Sequence, residues 1–395
     1  MNRVRSWGLS AIAALMLVAC GGGGDPQVPG SGSPAGAPTT KGTFTSLVSF
    51  GDSLSDIGTY APATSLAGDG SAPYFGGKFT TNAAGGNVWV ENLAATLGLT
   101  VTPAEVGFAG TSVQCPVALS VPALAHTCTA YGQGGARVTN PDGIGHSGGA
   151  LTVPVVTQIA RHLARFGSFT DSDLILVYAG NNDVFAQFGA FAATAAQVQA
   201  SAAAGEITTD EANAALFNAQ NTAMAEMKKA ALELAGYVRS EILAKGGKYV
   251  AVMLLSDIAD TPFGNSLPAN SRPVLTDLSR IFNLWLREGL TGQPVQLIDT
   301  FTLFKNAYAN PAQYGITNNT VPACDAAAIS AITGGAVTDG SSLFCNATPG
   351  APYNGLRAGA DVNTWQFADG VHPTIGGHKV LSDTFEDQLM AFGWL

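Results

Sequence analysis

Short apolar segments that alternate with stretches of helical periodicity constrain the fold of this chain more than any other feature. Four such segments have the length and composition of buried strands, at residues 44–50, 173–178, 249–255 and 295–298. Helical spacing of apolar residues falls between and after them, at residues 87–97, 152–166, 208–244, 273–290 and 374–392. Because buried strands that alternate with helices form parallel sheets covered on both faces, we predict a three-layer α/β fold.

The net charge of the chain makes some classes of binding partner unfavourable. Lys and Arg together number 18 and Asp and Glu number 28, which gives a formal net charge of −10. A surface this acidic repels phosphate backbones and anionic membranes, so we expect no nucleic-acid partner. Hydrophobic residues make up 46% of the 395-residue chain, enough for the core of one large domain or two smaller ones.

The first 20 residues are typical of an export signal. Arg3 and Arg5 precede an apolar run at residues 9–18, which is too short to span a bilayer comfortably. The run ends in Ala19-Cys20, which resembles a lipoprotein signal in which Cys20 becomes lipidated. An ordinary secretory signal that happens to end in cysteine is the alternative. Gly21 after the cysteine indicates the outer membrane, so we expect an outer-membrane lipoprotein or a secreted protein.

The domain boundaries follow from composition. Residues 21–43 are rich in Gly, Pro, Ser, Ala and Thr and carry almost no large apolar side chain, so they are predicted to form a linker. The folded domain is then expected to cover residues 44–395. The membrane would be contacted only through the N-terminal lipid.

Four cysteines remain after Cys20, and in an oxidising compartment they are expected to pair. Sequence alone permits three connectivities. We predict Cys115–Cys128 and Cys324–Cys345, because each pair is local and lies in a stretch rich in Pro and Gly. The alternative is four buried free thiols.

Ser53 lies in the hexapeptide Gly-Asp-Ser-Leu-Ser-Asp at residues 51–56, directly after the first predicted strand. A glycine permits a tight exit from the strand, and the start of a helical turn offers free N–H groups that can stabilise an oxyanion. A serine at this place can equally serve as a helix N-cap. The hexapeptide alone does not separate a nucleophile from a cap.

Asp369 and His372 lie three residues apart in Asp-Gly-Val-His-Pro, just before the last predicted helix. Pro373 disfavours helical geometry at His372 and suits the first helical position. Asp369 can then fold back onto the imidazole, which gives a general base with an orienting carboxylate. The alternative is a helix-capping Asp beside a surface His.

Two further segments could stabilise negative charge. Residues 180–183, Gly-Asn-Asn-Asp, follow the strand at 173–178, where an amide can point at a developing oxyanion. Residues 132–136, Gly-Gln-Gly-Gly-Ala, would let a backbone N–H approach a substrate closely. Simple turns are the alternative interpretation of both segments.

Together these four segments resemble the SGNH/GDSL hydrolase family, from about residue 44 to the C-terminus. The resemblance implies a flavodoxin-like three-layer α/β/α fold with enlarged loops. It also implies that Ser53 is the nucleophile, His372 the general base and Asp369 its orienting partner. The oxyanion donors would be the N–H groups of Ser53 and Gly135 and the amide of Asn182. Ala130 stands where the family usually has Asn, so Gly134 remains an alternative to Gly135.

A second serine matches a nucleophile motif. Ser147 lies in Gly-His-Ser-Gly-Gly at residues 145–149, and residues 143–148 also fit G-x-G-x-x-G. Both motifs require a preceding strand, and here a turn-like Asn-Pro-Asp-Gly precedes them. We therefore favour Ser53. The chain has no H-E-x-x-H, no paired His, no zinc-spaced Cys pair and no P-loop, so neither a metal nor another cofactor is expected.

The expected function is hydrolysis of carboxylic esters, with short- to medium-chain acyl esters or lipids as substrates. Esters of acetylated carbohydrates or phospholipids would use the same groups. The competing hypothesis is a surface adhesin or polymer-binding module that retains the fold without catalysis. The Ala-rich region at 190–244 is either a lid or a surface helical insertion, and the loop around Cys324–Cys345 is expected near His372, where it could shape the acyl pocket.

Overall fold

The structure is a computed structural model that describes residues 38–64, 77–83, 85–348 and 354–395. The predicted signal at residues 1–20, Cys20 and most of the predicted linker lie outside the described residues. Contacts to the domain begin at the first described residue, since Trp394 Nε1 donates to the Pro38 carbonyl at 2.7 Å. Gly42 N donates to the Trp394 carbonyl at 2.9 Å, so the two ends of the described chain are held together.

The central sheet is parallel and is built from the four segments that the sequence predicts as strands. In chain order the strands are β1 Ser46–Gly51, β2 Glu105–Phe108, β3 Thr111–Gln114, β4 Asp173–Tyr178, β5 Tyr249–Met253 and β6 Gln296–Ile298. The parallel sheet has the order β1-β4-β5-β6, and β2 pairs with β3 in a separate antiparallel hairpin. All six residues of β4 are buried, as expected for a strand covered on both faces.

A short segment around Ala130 extends the sheet beyond β1. Ser49 N donates to the Thr129 carbonyl at 3.0 Å, and Tyr131 N donates to the Ser49 carbonyl at 2.8 Å. This parallel bridge occupies the place of a strand on the far side of β1. If the segment at Ala130 is numbered as the second strand along the chain, the strands lie side by side in the order 2-1-3-4-5. That order is the flavodoxin-like one, and the predicted fold is confirmed.

Helices cover both faces of the sheet. Their bounds are α1 Ala61–Thr64, α2 Trp89–Thr96, α3 Val117–Ser120, α4 Val155–Phe166, α5 Asn181–Ala203, α6 Thr209–Tyr237, α7 Pro262–Ser266, α8 Arg272–Leu290, α9 Thr300–Ala309, α10 Ala326–Ile332 and α11 Ile375–Ala391. Gly51 lies beside Tyr178 in the register of β1 and β4, so Phe50 and Tyr178 point to opposite faces. Phe50 contacts His162 of α4, whereas Tyr178 contacts Phe385 of α11. The chain therefore forms the three predicted layers.

The Ala-rich region is a helical hairpin whose second arm belongs to the core. Helix α6 starts with a capping box of Thr208 and Glu211. Its buried face packs α6 against α5 and α8, and is formed by Ala223, Met227, Ala230, Ala231, Leu234 and Ala235. The helical region predicted for residues 208–244 is present, and after Tyr237 it continues as a π turn and a 3₁₀ turn.

Both predicted disulfides are present. Cys115 pairs with Cys128 beside the β2–β3 hairpin, and Cys324 pairs with Cys345 near the C-terminal end of the chain. All four cysteines are buried. Among the described residues, no helix has the length and apolar character needed to cross a membrane.

Candidate active site

Ser53 lies in a buried turn at the carboxyl end of β1. The strand ends at Gly51, where a Cβ atom would lie only 2.3 Å from the Tyr178 carbonyl oxygen, so glycine is required. A 3₁₀ turn at Ser53–Ser55 follows, and it is capped by Asp52, whose side chain accepts a hydrogen bond from Leu54 N at 3.1 Å. Asp52, not Ser53, is therefore the N-cap, and the Ser53 hydroxyl is free for another partner.

That partner is His372, which lies 319 residues later in the chain. The distance from His372 Nε2 to Ser53 Oγ is 2.8 Å, which is a hydrogen bond. Ser53 is 8% exposed, so the pair is shielded but can still be reached from one side. Folding thus joins the strand-end serine and the C-terminal histidine, as the sequence predicts.

Asp369 completes the arrangement on the other side of the imidazole. Its Oδ2 and Oδ1 atoms lie 2.8 and 2.9 Å from His372 Nδ1. Backbone N–H groups of Val371, His372 and Ser342 also donate to this carboxylate, at 2.8–2.9 Å. Burial alone would raise the pKa of Asp369, but the His372 charge and these hydrogen bonds hold the pKa well below its usual value. The carboxylate therefore stays ionised and fixes the imidazole with Nε2 toward Ser53.

Proline 373 is not at the first helical position that the sequence predicts for it. Helix α11 begins at Ile375, and Thr374 is its N-cap, accepting a hydrogen bond from Gly377 N at 3.0 Å. The Asp369–His372 loop is closed instead by a hydrogen bond from Ala368 N to the His372 carbonyl at 2.7 Å. Pro373 lies one residue before the cap, where it ends this loop.

Asn182 lies in the first turn of a helix and not in a loop, since α5 starts at Asn181. Its side-chain Nδ2 donates one hydrogen to the Ala136 carbonyl at 2.9 Å, which leaves its second hydrogen for another acceptor. The next residue, Asp183, pairs with Arg137 at 2.9 Å and accepts from Val138 N at 3.0 Å. These bonds tie the predicted second and third family segments together.

The same network distinguishes Gly135 from Gly134. Gly134 N donates to the Asp56 carboxylate at 2.8 Å, so its N–H is already used. Within the described part of the chain, Gly135 N has no acceptor. Gly135 has a φ of +79°, and a Cβ there would lie 2.0 Å from the Ile144 carbonyl oxygen. Glycine is therefore needed at the position whose N–H remains free.

Ser147 has a different environment. It lies in a 3₁₀ turn at His146–Gly148, bounded by Gly145 and Gly149 in left-handed conformations, and it is exposed. In the described residues between β3 and this turn, no strand leads directly into it. Among the described residues, Ser147 has no hydrogen bond to a histidine or a carboxylate, and the neighbouring His146 Nδ1 lies 3.0 Å from Thr152 Oγ1 instead.

Several residues that hold the site in place have no signal in the sequence. Gln158 accepts from Gly51 N at 2.9 Å and donates to the Gly51 carbonyl at 2.8 Å, which fixes the end of β1. The Phe79 ring packs on the His372 ring at a centroid distance of 4.7 Å. Asn181 Nδ2 donates to Asp52 at 3.1 Å, and burial raises the pKa of Asp52 to about 6.

The loop around Cys324–Cys345 lies beside the Asp369–His372 loop, as predicted. Cys324 N donates to the Ala368 carbonyl at 2.8 Å, and Ser342 N reaches the Asp369 carboxylate. Its effect on the acyl pocket stays a prediction. The described residues contain no cluster of three or more His, Cys, Asp or Glu side chains that could hold a metal ion.

Comparison with known proteins agrees with this geometry. The family model described as GDSL-like Lipase/Acylhydrolase matches residues 47–385, which include Ser53 and both His372 and Asp369. A search of curated proteins found no match.

Proposed function

Because the chain belongs to the GDSL-like lipase/acylhydrolase family, we propose that it hydrolyses carboxylic esters through an acyl-enzyme on Ser53. The observation that carries the proposal is the continuous hydrogen-bonded series from Ser53 Oγ through His372 to Asp369, with both contacts at 2.8 Å. A serine hydroxyl becomes a useful nucleophile only when a base accepts its proton, and the base needs a partner that fixes its orientation.

Acylation starts when Ser53 Oγ attacks the acyl carbon and His372 Nε2 takes the hydroxyl proton. The carbonyl oxygen becomes an oxyanion, which the N–H groups of Ser53 and Gly135 and the free amide hydrogen of Asn182 would stabilise. Each donor of this kind is expected to contribute roughly a hundredfold in rate. Collapse of the intermediate breaks the bond to the alcohol oxygen, and His372 returns the proton to the leaving alcohol.

Deacylation repeats these steps with water. His372 Nε2 accepts a proton from a water molecule, which attacks the acyl carbon of the Ser53 ester. The same donors stabilise the second oxyanion, and its collapse releases the carboxylic acid while His372 returns the proton to Ser53 Oγ. Asp369 remains ionised throughout, in line with its lowered pKa.

Short- to medium-chain acyl esters are the substrates that we propose. Support comes from two partly buried aromatic rings beside the site, Phe185 and Phe263, whose centroids are 5.6 Å apart. Phe185 lies one helical turn after Asn182. Phe263 N donates to the Gly370 carbonyl at 2.8 Å, next to Asp369. An apolar acyl or alkyl group placed there would remove aromatic surface from water.

The test compares Ser53→Ala with Ser147→Ala on p-nitrophenyl esters of increasing acyl length. We expect Ser53→Ala to lower kcat by at least about ten-thousandfold and Ser147→Ala to keep the wild-type value. Wild-type enzyme should also release a burst of p-nitrophenol when deacylation is slow. Full retention of activity in Ser53→Ala would refute the mechanism, and absence of any hydrolysis in the wild type would favour a non-catalytic binding module.

We also propose that the chain is exported and anchored through a lipid on Cys20, with residues 21–43 as the tether. The two disulfides support an oxidising compartment. Metabolic labelling with a radioactive fatty acid tests the anchor. Label should enter the wild type and be absent from Cys20→Ala, whereas label in neither protein would indicate an ordinary secretory signal.

A further inference from the structure

The Cys324–Cys345 disulfide packs against the residue that precedes Asp369. Cys324, Cys345 and Ala368 are buried together with Ile329 in a small apolar cluster separate from the main core. Ala368 is the residue before Asp369, and its carbonyl accepts the hydrogen bond from Cys324 N at 2.8 Å. One half of the disulfide is thus fixed to the backbone that carries Asp369.

The other half of the disulfide holds the donor that reaches Asp369 from outside its own loop. Ser342 is three residues before Cys345 and begins the 3₁₀ turn Ser342–Phe344 that leads into it. Ser342 N donates to Asp369 Oδ2 at 2.8 Å, and the same Oδ2 lies 2.8 Å from His372 Nδ1. The other backbone donors, Val371 N and His372 N, both bond to Oδ1. Ser342 N therefore fixes one of the two carboxylate oxygens that contact the imidazole, the one at 2.8 Å.

The same segment also contacts the stretch whose aromatic ring packs on His372. Asn82 N donates to the Cys345 carbonyl at 2.9 Å, and Asn82 Nδ2 donates to the Ser342 carbonyl at 3.0 Å. Asn82 closes the short stretch that contains Phe79, whose ring packs on the His372 ring. Both the carboxylate and the aromatic ring next to His372 thus depend on where residues 342–345 lie.

We infer that the Cys324–Cys345 disulfide is a positioning element that holds Ser342 N–H on the Asp369 carboxylate and so keeps His372 aligned with Ser53. The inference rests on the proposed function. Without the disulfide, residues 342–345 lose their covalent link to Cys324 and hence to the backbone at Ala368. A displacement of about 1 Å among reacting groups can cost roughly a hundredfold in rate. Loss of this alignment should therefore lower kcat more than it raises KM.

The chain offers a matched control in its first disulfide. Cys115–Cys128 is also buried and closes a segment of similar size, with a sequence separation of 13 against 21 for Cys324–Cys345. Loss of either disulfide should therefore reduce thermal stability by a similar amount. In the described chain, no hydrogen bond of Cys115 or Cys128 reaches Ser53, Asp369 or His372.

The experiment compares Cys324→Ala/Cys345→Ala with Cys115→Ala/Cys128→Ala, both assayed well below their melting temperatures. We expect the first double variant to lose at least about tenfold in kcat with KM nearly unchanged, and the second to keep the wild-type kcat. The proton on His372 Nδ1, bonded to Asp369, should give a downfield NMR resonance in the wild type. This resonance should shift or broaden only in the first double variant.

A second pair of variants serves if the double variants fail to fold. Ser342→Pro removes the N–H at the first residue of the turn. The backbone of the preceding Ser341 has a φ of −47° and a ψ of 125°, a conformation that is compatible with proline at the next position. Ser342→Ala keeps the N–H. Ser342→Pro should lose at least about tenfold in kcat and should lose the downfield resonance, whereas Ser342→Ala should lie far closer to the wild type.

Equal kcat values and equal resonances in the two double variants would overturn the inference, whether both are retained or both are lost. Failure of the proposed function is a separate outcome, since it would appear as wild-type hydrolysis that does not depend on Ser53. The NMR resonance does not depend on turnover, so it tests the positioning of Asp369 even then.

Discussion

Ser53 and Ser147 both lie in 3₁₀ turns next to glycines, and both match a short nucleophile motif, yet their environments differ. The Ser53 turn is buried, and it follows a strand whose last residue is held by Gln158. The Ser147 turn is exposed and is bounded by two glycines with positive φ. His372 lies within 2.8 Å of Ser53, whereas the histidine beside Ser147 bonds to a threonine.

A serine therefore becomes a candidate nucleophile through its distant partners and not through its flanking residues. A base that is 319 residues away can be held at hydrogen-bonding distance only when both turns are fixed by buried contacts. In the described part of the chain, the exposed turn around Ser147 has no buried residue and no hydrogen bond from Ser147 to a base. Four pairs of variants can test this comparison. In each pair one substitution lies in the part of the fold that holds Ser53 and the other lies near Ser147.

The largest effect is expected from the two histidines. His372→Ala removes the proposed base and should lower kcat by about ten-thousandfold or more, which corresponds to about 5 kcal/mol of transition-state stabilisation. His146→Ala is the control beside Ser147 and should keep the wild-type kcat. A large loss in His146→Ala, measured with the same p-nitrophenyl ester, would contradict the comparison.

The next effect concerns the oxyanion donors. Asn182→Ala removes an amide hydrogen that no group in the described chain accepts, and kcat should fall by roughly a hundredfold to a thousandfold with little change in KM. Asn140→Ala removes an amide from the loop that leads to Ser147, where Asn140 accepts from Asp142 N. Steady-state kinetics should find its kcat close to the wild-type value, and a similar loss in both variants would argue against a specific donor at Asn182.

Two glycines test how tightly each turn is built. Gly51→Ala places a Cβ 2.3 Å from a backbone oxygen of β4 and should lower the free energy of unfolding by about 3 kcal/mol. At Gly148, next to Ser147, a Cβ would meet no atom within 4 Å, so Gly148→Ala should change stability by less than about 1 kcal/mol. Urea denaturation measures both values. Equal destabilisation would mean that the two turns are equally constrained.

The smallest effect is a change in the pH dependence of stability. His162 of α4 is buried beside Phe50 of β1, and within the described residues its ring has no hydrogen-bond partner; burial lowers its pKa to about 4. As pH falls below about 6.5, His162 is protonated in the unfolded chain, whereas in the folded chain it stays neutral until about pH 4. Protonation therefore stabilises the unfolded chain, and the free energy of unfolding decreases as pH falls through that window.

His162→Phe should remove this loss. Between pH 7.5 and pH 5 the variant should lose about 2 kcal/mol less unfolding free energy than the wild type. Ser147→Ala, in the exposed turn, should leave the pH dependence of the wild type in place. Urea titrations at the two pH values compare the three proteins, and parallel losses in all of them would show that His162 already titrates normally in the fold.

Much of the fold could be predicted because its signals are local. The apolar runs that became β1, β4, β5 and β6 are continuous, and glycine or proline marks many of their ends. The β2–β3 hairpin was not predicted, since all four residues of β3 are exposed and no apolar alternation marks it. The extent of α5 was missed as well, because an Asn-rich start favours a turn as much as a helix N-terminus.

The residues at the centre of the site were predictable and those that support them were not. Ser53, Asp369 and His372 lie in short patterns that can be read without the fold. Gln158, Phe79 and Ser342 act through contacts between segments that lie far apart in the chain, and Ser342 acts through its backbone, which is identical in every residue except proline. Which of Gly134 and Gly135 has an N–H without an acceptor in the described chain also needed the structure, because it depends on the hydrogen bond from Gly134 N to Asp56.

Covalent labelling with a fluorophosphonate tests whether Ser53 is the activated nucleophile, since this reagent traps an activated serine without the need for a known substrate. After tryptic digestion, mass spectrometry should find one adduct per chain, on Ser53, and His372→Ala should abolish the labelling. An adduct on Ser147, or none on the intact protein, would contradict the account.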